Sequence, residues 1–558
     1  MKHQKIRLGD LLVYEGLITE NQLQNALSVQ KASGFSKKLG EVLIEEGCIT
    51  DKELLKILSK QLEIEFIDIY GVKIDFGSLS KYPLKLLKDA HAIPFKEDDE
   101  YVYVATSDPL NYDALEALEN YIAIKPLKLY IVLDNDIRQI FKRVEIIQNT
   151  KLIIEEIKRE LKTEGLKKDG KESAVMRLIQ TIVEDAIERR ASDIHIEPDD
   201  NKMIVRIRVD GVLHETFVFG LDIYTVLSSR IKLLGGLDIS EKRIPQDGRF
   251  SVKVKGRVYD FRLSTTPTLF GESLVMRILD RKKVLLKLEE LGFESKNLEK
   301  FDYLIHAPYG IILVAGPTGS GKTTTLYAAL NEIKSIENKV MTIEDPIEYR
   351  LPLVQQVQVN DKIGFDFATA LRSFLRQDPD VILVGEIRDK ETLNAATQAA
   401  LTGHLVFSTL HTNDAPGAIS RMVQMGLEPY LIADAIVGIV AQRLVRTICP
   451  SCKTITKLPR TVLSRVRKYI PEKPKFYTGR GCPKCDFTGF LGRTMISEIL
   501  VINEELSRLI AENATRYEIY KAAVKSTRFQ PMIIDGLRKS LTGITTVEEV
   551  LRVVKDIS

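Results

Sequence analysis

A phosphate-binding loop is predicted at residues 316–323, where the sequence reads GPTGSGKT and matches the pattern G-x-x-x-x-G-K-[ST]. The apolar run before it predicts a buried parallel strand, and the residues after it predict a helix. Small residues let consecutive backbone N–H groups surround a phosphate, and the positive end of a helix adds to the attraction. Lys322 would reach the β- and γ-phosphates of ATP or GTP, and Thr323 would hold Mg²⁺. The residues predicted to line this site are Gly316, Pro317, Thr318, Gly319, Ser320, Gly321, Lys322, Thr323 and Thr324.

Two further strand-like segments end in carboxylates, and a third is bracketed by histidines. Because ligands bind at the carboxyl ends of parallel strands, we expect Glu344 and Glu386 to converge on the loop. We assign Glu386 to positioning metal and water, and Glu344 to polarising water. His404 and His411 are candidates to sense the γ-phosphate, and the alternative for His404 is the end of a helix beside Gly403.

Four of the five cysteines form two C-P-x-C pairs late in the chain, whereas Cys48 stands alone. In a reducing compartment this spacing indicates a metal site rather than disulfides. Four thiolates complete the tetrahedral shell of Zn²⁺ and leave no open position, so we expect a structural ion. The predicted ligands are Cys449, Cys452, Cys482 and Cys485.

Length and composition indicate a multidomain globular protein. The 558 residues exceed what one core supports, and domains of about 100–200 residues suggest three or four units. A net charge of +3, with both signs spread through the chain, demands no nucleic acid or anionic membrane as partner. No apolar run approaches the roughly 18–20 residues of a spanning helix, and the first residues lack a secretory signal, so we expect a soluble cytoplasmic protein.

An internal repeat opens the chain, because residues 7–30 align without a gap to residues 38–61. Both copies contain [RK]-L-G, then E-G-x-I-T, then L-x-x-x-L-x-x-Q. Thr19 and Thr50 are predicted to cap a helix in each copy. The pattern leaves two interpretations open: a helical pair that only packs, or a two-fold symmetric binding site.

The two blocks resemble the cyclic di-GMP-binding N-terminal domain of some pilus and type II secretion ATPases. The resemblance implies that this two-fold symmetric dinucleotide binds across the repeats. Position 38 departs from the motif, because Lys38 replaces a planar arginine with a point charge. Asp108, in ATSDPLN, is interpreted either as a plain turn or as a neighbour of the repeat site. The residues implied to bind cyclic di-GMP are Arg7, Leu8, Gly9, Gln30, Lys38, Leu39, Gly40 and Gln61.

The middle of the chain predicts a small α/β part, a joint and an α/β lobe. Residues 148–172 are dense in Lys and Glu, as in a linker or an exposed helix followed by a flexible joint. A strand hairpin with an Asp210-Gly211 turn is predicted in the lobe. Arginines follow it before the phosphate loop, and they are either solvated or reach a γ-phosphate as arginine fingers. They are Arg243, Arg249, Arg257, Arg262 and Arg277.

Nearly the whole chain resembles the type II/type IV secretion ATPase superfamily. The matching segments are SDIHIEP, RIPQDGR, FRLSTTPT, GPTGSGKTTT, TIEDPIEY, DPDVILVGEIRD and LTGHLVFSTLHTNDA. The resemblance implies a six-chain ring with ATP at lobe and subunit boundaries, where Arg249 and Arg262 close over the nucleotide and Arg243 and Arg277 lie behind them. The implied fold class is α/β multidomain. An N-terminal module of helical repeats and a small α/β part spans 1–147, a charged linker spans 148–172, and a PAS-like α/β lobe spans 173–283. A RecA-like P-loop NTPase core at 284–558 carries a tetracysteine zinc insertion at about 449–485 and a helical C-terminus.

The tetracysteine insertion and the long N-terminal extension favour the branch of motors that extend type IV pili. The resemblance then implies a cytoplasmic, Mg²⁺-dependent ATP hydrolase that forms a homohexamer and is recruited to the inner face of the cytoplasmic membrane by a platform protein. It also implies associated cytoplasmic pilus proteins, regulation by cyclic di-GMP and no direct contact with nucleic acid. The alternatives are the same motor in type II secretion or DNA uptake, a DNA-translocating P-loop motor, and a scaffold that binds cyclic di-GMP without hydrolysing ATP.

Overall fold

The computed structural model describes residues 7–32, 38–49, 51–67, 69, 74, 76–79, 81–122, 125–162, 173–280 and 286–554. Among the helices of these residues, none has the length and apolar character needed to cross a membrane. Separate buried apolar clusters lie in the repeats, in the small α/β part, in the lobe and on the two faces of the large core sheet.

The repeats fold as two pairs of helices, as their spacing predicts. Thr19 precedes the second helix, and its hydroxyl accepts the backbone N–H of Gln22 at 3.3 Å, which is the predicted cap. The equivalent Thr50 lies outside the described residues. The helices are α1 (Leu8–Tyr14), α2 (Glu20–Ala32), α3 (Leu39–Glu45) and α4 (Asp51–Leu62).

The small α/β part contains a three-stranded sheet in the order β1-β2-β3, with the first pair antiparallel and the second parallel. Its last helix continues through residues 148–162, where Ile157 is buried against the next unit. The first part of the predicted joint is therefore a packed helix, and residues 163–172 lie outside the described residues. The elements are α5 (Phe76–Leu79), α6 (Leu84–Asp89), β1 (Ala92–Glu97), β2 (Val102–Thr106), α7 (Tyr112–Ile122), β3 (Leu127–Ile131) and α8 (Asp134–Lys162).

The lobe is an antiparallel sheet in the order β6-β5-β4-β9-β8-β7, with its apolar side chains packed against helices of the same unit. The predicted hairpin is present, and both turn residues have the left-handed backbone that such a turn requires, with φ 50° at Asp210 and 87° at Gly211. The elements are α9 (Ala174–Glu188), β4 (Asp193–Pro198), β5 (Lys202–Val209), β6 (Val212–Gly220), α10 (Leu221–Leu234), β7 (Gln246–Val254), β8 (Arg257–Thr268) and β9 (Gly271–Asp280).

The core is the expected RecA-like P-loop fold, a seven-stranded sheet in the order β12-β11-β13-β14-β10-β15-β18 that is parallel except for its last pair. Helices cover both faces, so the central strands read as continuous apolar runs. The elements before the cysteine insertion are α11 (Ser295–Ile305), β10 (Gly310–Ala315), α12 (Lys322–Ile333), β11 (Val340–Glu344), β12 (Val354–Gln358), α13 (Phe367–Phe374), β13 (Val381–Val384), α14 (Lys390–Leu401), β14 (Leu405–Leu410), α15 (Ala415–Gln424), α16 (Pro429–Ala435) and β15 (Ile436–Ile448).

The cysteine insertion lies between β15 and β18 and contacts the other units. Its second C-P-x-C turn is followed by Asp486, which pairs with Arg189 at the end of α9. The next residue, Phe487, packs against the apolar cluster of the small α/β part. The remaining elements are β16 (Lys453–Thr456), α17 (Arg460–Val466), β17 (Phe476–Gly479), β18 (Phe490–Val501), α18 (Glu504–Ala511), α19 (Arg516–Ser526), α20 (Met532–Leu541) and α21 (Val547–Val553).

We expect Phe487→Ala to weaken the attachment of the small α/β part. Because the ring is partly buried, the loss in unfolding free energy should be about 1–3 kcal/mol, below the roughly 3–5 kcal/mol of a fully buried phenylalanine. Urea unfolding followed by circular dichroism measures it. Phe270→Ala, at a ring 45% exposed between β8 and β9, is the matched control and should change stability by less than about 0.5 kcal/mol. Equal effects of the two variants would contradict the packing role of Phe487.

Candidate functional site

The phosphate loop connects the carboxyl end of β10 to the first residue of α12, as predicted. Gly319 and Gly321 have φ of 78° and 89°, a left-handed backbone that a side chain would strain. Lys322 Nζ donates to the carbonyl oxygens of Gly316 at 2.9 Å and Pro317 at 3.3 Å, so its ammonium closes over the loop. Burial lowers the pKa of Lys322, and the nearby charge of Glu386 partly offsets that effect.

Glu386 and His411 meet at the same edge of the sheet. Glu386 follows β13, its side chain is 17% exposed, and it contacts Arg388. His411 follows β14 and places Nε2 3.4 Å from Glu386 Oε2. The structure therefore brings Glu386 and His411 together near Lys322. The sequence predicted from strand direction that Glu386 would reach the loop, and it offered His411 as one of two histidine candidates. A carboxylate, an imidazole and an ammonium around one loop suit the orientation of a water beside a terminal phosphate.

Glu344, at the end of β11, is buried and hydrogen-bonded on both carboxylate oxygens. Oε1 accepts from the Thr342 hydroxyl at 2.7 Å and from the Gln356 amide at 3.2 Å, and Oε2 accepts from the Tyr327 hydroxyl. Its predicted role in polarising water stays a prediction. These three donors hold the carboxylate in one orientation. Any action of Glu344 on water would therefore depend on them.

The structure does not bring His404 to the loop formed by its own chain. His404 lies at the amino end of β14, and its carbonyl accepts from Gly310 N at 3.1 Å, where β10 begins. The length of a six-residue strand, about 20 Å, separates it from the edge that carries the loop. Its Nδ1 lies 2.8 Å from the Ala399 carbonyl at the end of α14, which supports the alternative of a helix end.

Three of the predicted arginines lie side by side across the lobe sheet. Arg249 pairs in register with Arg262, and Arg262 with Arg277. Arg262 reaches the core, where it donates to the Ile347 carbonyl at 3.3 Å and lies 3.5 Å from Glu348. Arg249 is exposed beside it, and the two line a cavity of about 290 Å³ between lobe and core.

Arg277 and Arg243 are both engaged within the lobe. Arg277 Nε donates to Asp193 at 2.9 Å. Burial alone would raise the pKa of Asp193, but hydrogen bonds from Arg277 and Ser192 outweigh it and hold that pKa below its usual range. Arg243 pairs with Glu241 at 2.8 Å in an exposed loop. Their predicted place behind Arg249 and Arg262 stays a prediction.

One residue that contacts the phosphate loop was not predicted from the sequence. Gln442 of β15 is buried, and its Nε2 donates to the Ser320 carbonyl at 2.9 Å while its Oε1 accepts from the Thr325 hydroxyl at 2.9 Å. Its neighbour Arg443 donates to the carbonyl and the side-chain oxygen of Asn413 at 3.1 Å each. A Gln-Arg pair inside the apolar run IVGIVAQRLV was the signal available in the sequence.

The two repeats place their motif residues equivalently. A Cβ added at Gly9 would lie 2.6 Å from Leu23 Cδ1, and one at Gly40 would lie 2.6 Å from Leu54 Cδ2. The glycine of each copy therefore allows close packing of its helix pair, which is a structural role beside any role in binding. Arg7 and Lys38 stand directly before α1 and α3 with the same extended backbone.

Asp108 lies beside the second repeat, as one interpretation of the sequence expected. Its carboxylate oxygens are 3.0 and 3.2 Å from Lys38 Nζ. The contact joins the repeats to the small α/β part at the position where the repeat motif departs from arginine.

The four predicted cysteines converge, with all four Sγ atoms within 4.8 Å of one another. Sγ of Cys449 lies 3.6 Å from that of Cys482, and Sγ of Cys452 lies 3.9 Å from that of Cys485. Ligands about 2.3 Å from Zn²⁺ in a tetrahedron are roughly 3.8 Å apart, so the residues fit a closed Cys₄ zinc site. Backbone N–H groups of Cys482 and Gly489 donate to Cys485 Sγ at 3.1 and 3.3 Å, which suits a thiolate.

Comparison with known protein families gives two matches. Residues 168–552 match the family described as type II/IV secretion system protein, and residues 62–149 match the MshEN domain. The MshEN match begins directly after the second repeat.

Known relatives resemble the chain over much or all of its length. It is 38% identical over 559 residues to the type IV pilus assembly ATPase PilB of Myxococcus xanthus, which covers 98% of each chain. It is 48% identical over 391 residues to the type II secretion system protein E of Dickeya dadantii, covering 70% of this chain and 77% of that protein. The X-ray structure of the Legionella pneumophila ATPase DotB shares the fold, with a TM-score of 0.50 and 24% identity over 67% of this chain and 94% of that one.

The cysteine cluster predicts that Cys482→Ser lowers the zinc content from about one ion per chain towards zero, because a hydroxyl does not replace a thiolate in the shell. The temperature of thermal unfolding should fall with it. Mass spectrometry of the metal and calorimetry measure the two effects. Cys48→Ser is the matched control and should keep its zinc. Wild-type protein prepared without chelator that carries no zinc would contradict the site.

Proposed function

Because this chain belongs to the type II/IV secretion system protein family and is therefore an ATP hydrolase of the secretion and pilus motors, we propose that it powers type IV pilus assembly. The observation that carries this proposal is the similarity to a pilus assembly ATPase along the whole chain, including the N-terminal module. The convergence of Lys322, Glu386 and His411 on the phosphate loop supports the chemistry.

The residues around the phosphate loop have separate roles in ATP hydrolysis. Backbone N–H groups of Thr318, Gly319 and Gly321 and the ammonium of Lys322 hold the phosphates of ATP. Thr323 would hold Mg²⁺, which neutralises phosphate charge when bound. Glu386 positions the metal and the attacking water, and Glu344 polarises that water. His411 beside Glu386 meets the γ-phosphate as a hydrogen-bond donor.

Closure of the lobe completes this site in the proposed mechanism. Arg262 already reaches the core loop that follows β11, and Arg249 stands exposed next to it. A guanidinium at that boundary stabilises charge that develops on the transferred phosphoryl group. We place this boundary in a ring of six chains, in which movements of the lobe follow ATP hydrolysis.

The proposed partner is a platform protein in the cytoplasmic membrane, to whose inner face this cytoplasmic motor is recruited. A second candidate is the same motor in type II secretion, favoured by the higher identity of the core to a type II secretion system protein E. The platform protein that co-purifies with the chain distinguishes the two.

Cyclic di-GMP is the proposed regulatory ligand. The support is the two-fold repeat, the equivalent placement of Arg7 and Lys38 before their helices, and the MshEN match of the segment that follows. A two-fold symmetric dinucleotide suits two equivalent sets of backbone N–H groups and cations.

The site predicts that Lys322→Ala and Glu386→Gln each lower ATP turnover at least about a hundredfold, because each removes a group that acts on the phosphates or the water. Glu386→Gln should keep its affinity for nucleotide. Steady-state phosphate release and the binding of a fluorescent ATP analogue measure the two effects. Lys362→Ala, at an exposed core lysine, is the control. A Glu386→Gln variant with wild-type turnover would contradict the assignment.

The repeats predict binding of cyclic di-GMP in isothermal titration calorimetry. Gln30→Ala should weaken it about tenfold, because a hydrogen bond to a charged or polar ligand group is lost. Gln24→Ala, at an exposed glutamine of the same helix, should not. Lys38→Arg should strengthen it, since a guanidinium offers a planar bidentate contact. The absence of any heat with wild-type protein would remove the regulatory proposal and leave the ATPase untouched.

A further inference from the structure

The loop between β11 and β12 connects the buried Glu344 of the core to Arg262 of the lobe. It begins directly after Glu344 and carries Glu348, which faces Arg262. An aromatic contact and a side-chain amide attach the loop to the core. Tyr349 packs its ring against that of Tyr327 on α12, with centroids 4.6 Å apart at 78°.

One side-chain amide joins the loop to Glu344. Nε2 of Gln356, on β12, donates to Glu344 Oε1 at 3.2 Å and to the Tyr349 carbonyl at 3.1 Å. Oε1 of the same amide accepts from the backbone N–H of Leu351 at 2.8 Å. Both ends of the amide are therefore used, and it cannot turn over without losing a hydrogen bond to the loop or to the carboxylate.

The Thr342 hydroxyl also donates to Glu344 Oε1, at 2.7 Å. Oε2 is held by the hydroxyl of Tyr327, which lies one turn beyond the phosphate loop in α12. The Gln356 amide also lies 3.4 Å from this hydroxyl. The side chains of Glu344, Gln356 and Tyr327 form a hydrogen-bonded network away from solvent. In such a place the loss of a hydrogen-bond partner costs free energy, so the network keeps its geometry. Movement of α12 or of the loop would therefore displace the Glu344 carboxylate.

On this geometry we propose that Gln356 is a positioning residue for ATP hydrolysis: it ties the orientation of Glu344 to the loop that Arg262 of the lobe contacts. Closure of the lobe moves the loop, and the amide passes that movement to the carboxylate. The inference rests on the proposed function, because it assumes that Glu344 acts on the attacking water. In this proposal Gln356 acts through Glu344 and not directly on the nucleotide or the water.

The test compares Gln356→Ala with Gln355→Ala in the full-length chain. Gln355 is the same residue type on the same strand and is exposed. We expect Gln356→Ala to lower kcat for ATP roughly tenfold to a hundredfold, because small displacements of a catalytic group cost that much, with KM for ATP and the affinity for ADP changed by less than about twofold. Gln355→Ala should match wild type in all three.

A purely structural role of Gln356 would give a different result. It predicts a lower temperature of thermal unfolding with kcat of the folded protein unchanged, or equal effects of both glutamine variants. Either result would overturn the inference and leave the proposed ATPase intact. A wild-type chain without ATPase activity would overturn both.

Tyr327→Phe keeps the proposal falsifiable if Gln356→Ala does not fold. It removes only the hydroxyl that holds Glu344 Oε2 and retains the ring contact with Tyr349. We expect the same selective fall in kcat, and a kcat within about twofold of wild type would overturn the coupling of this network to the reaction.

Discussion

The parallel pairing of β10 with β14 and of β14 with β13 sets the relative positions of the phosphate loop, Glu386 and His411. Ala315 at the end of β10 is in register with Leu410 of β14, and Val384 of β13 with Ser408 of β14. The residues that follow these strands are therefore brought to one edge. The strands are buried on both faces, so the hydrogen-bonded register is backed by apolar packing and holds the edge rigid.

A row of charged side chains on the lobe lies next to that edge. Cross-strand register places Arg249, Arg262, Arg277 and Asp193 side by side across four strands. Asp193 holds Arg277, which leaves Arg262 and Arg249 next to the core loop.

The cysteine insertion has a role beyond its own stability, because its second C-P-x-C turn lies where three units meet. Asp486 pairs with Arg189, which also lies 3.6 Å from Asp185, and Asp185 accepts a hydrogen bond from Arg143 of α8 at 2.8 Å. Burial raises the pKa of Asp185 despite the two arginines. Alternating charges thus connect the second C-P-x-C turn to the lobe and to α8, the long helix that ends the N-terminal module.

The sequence by itself determined the features that depend on neighbours along the chain: the phosphate loop, the two C-P-x-C pairs, the repeats and the apolar strands. It also predicted that Glu386 would lie near the phosphate loop, since strand direction is readable from the order of strand, loop and helix. Only the tertiary structure decided between the two interpretations of His404, whose ring lies against the end of α14, and between the two interpretations of Asp108, which pairs with Lys38. The partners of Gln356 and Gln442 were likewise not predictable, because each amide joins segments of different strands, helices and loops. The apolar run around Gln442 marked that residue as unusual but did not name its partners, and Gln356 had no such signal.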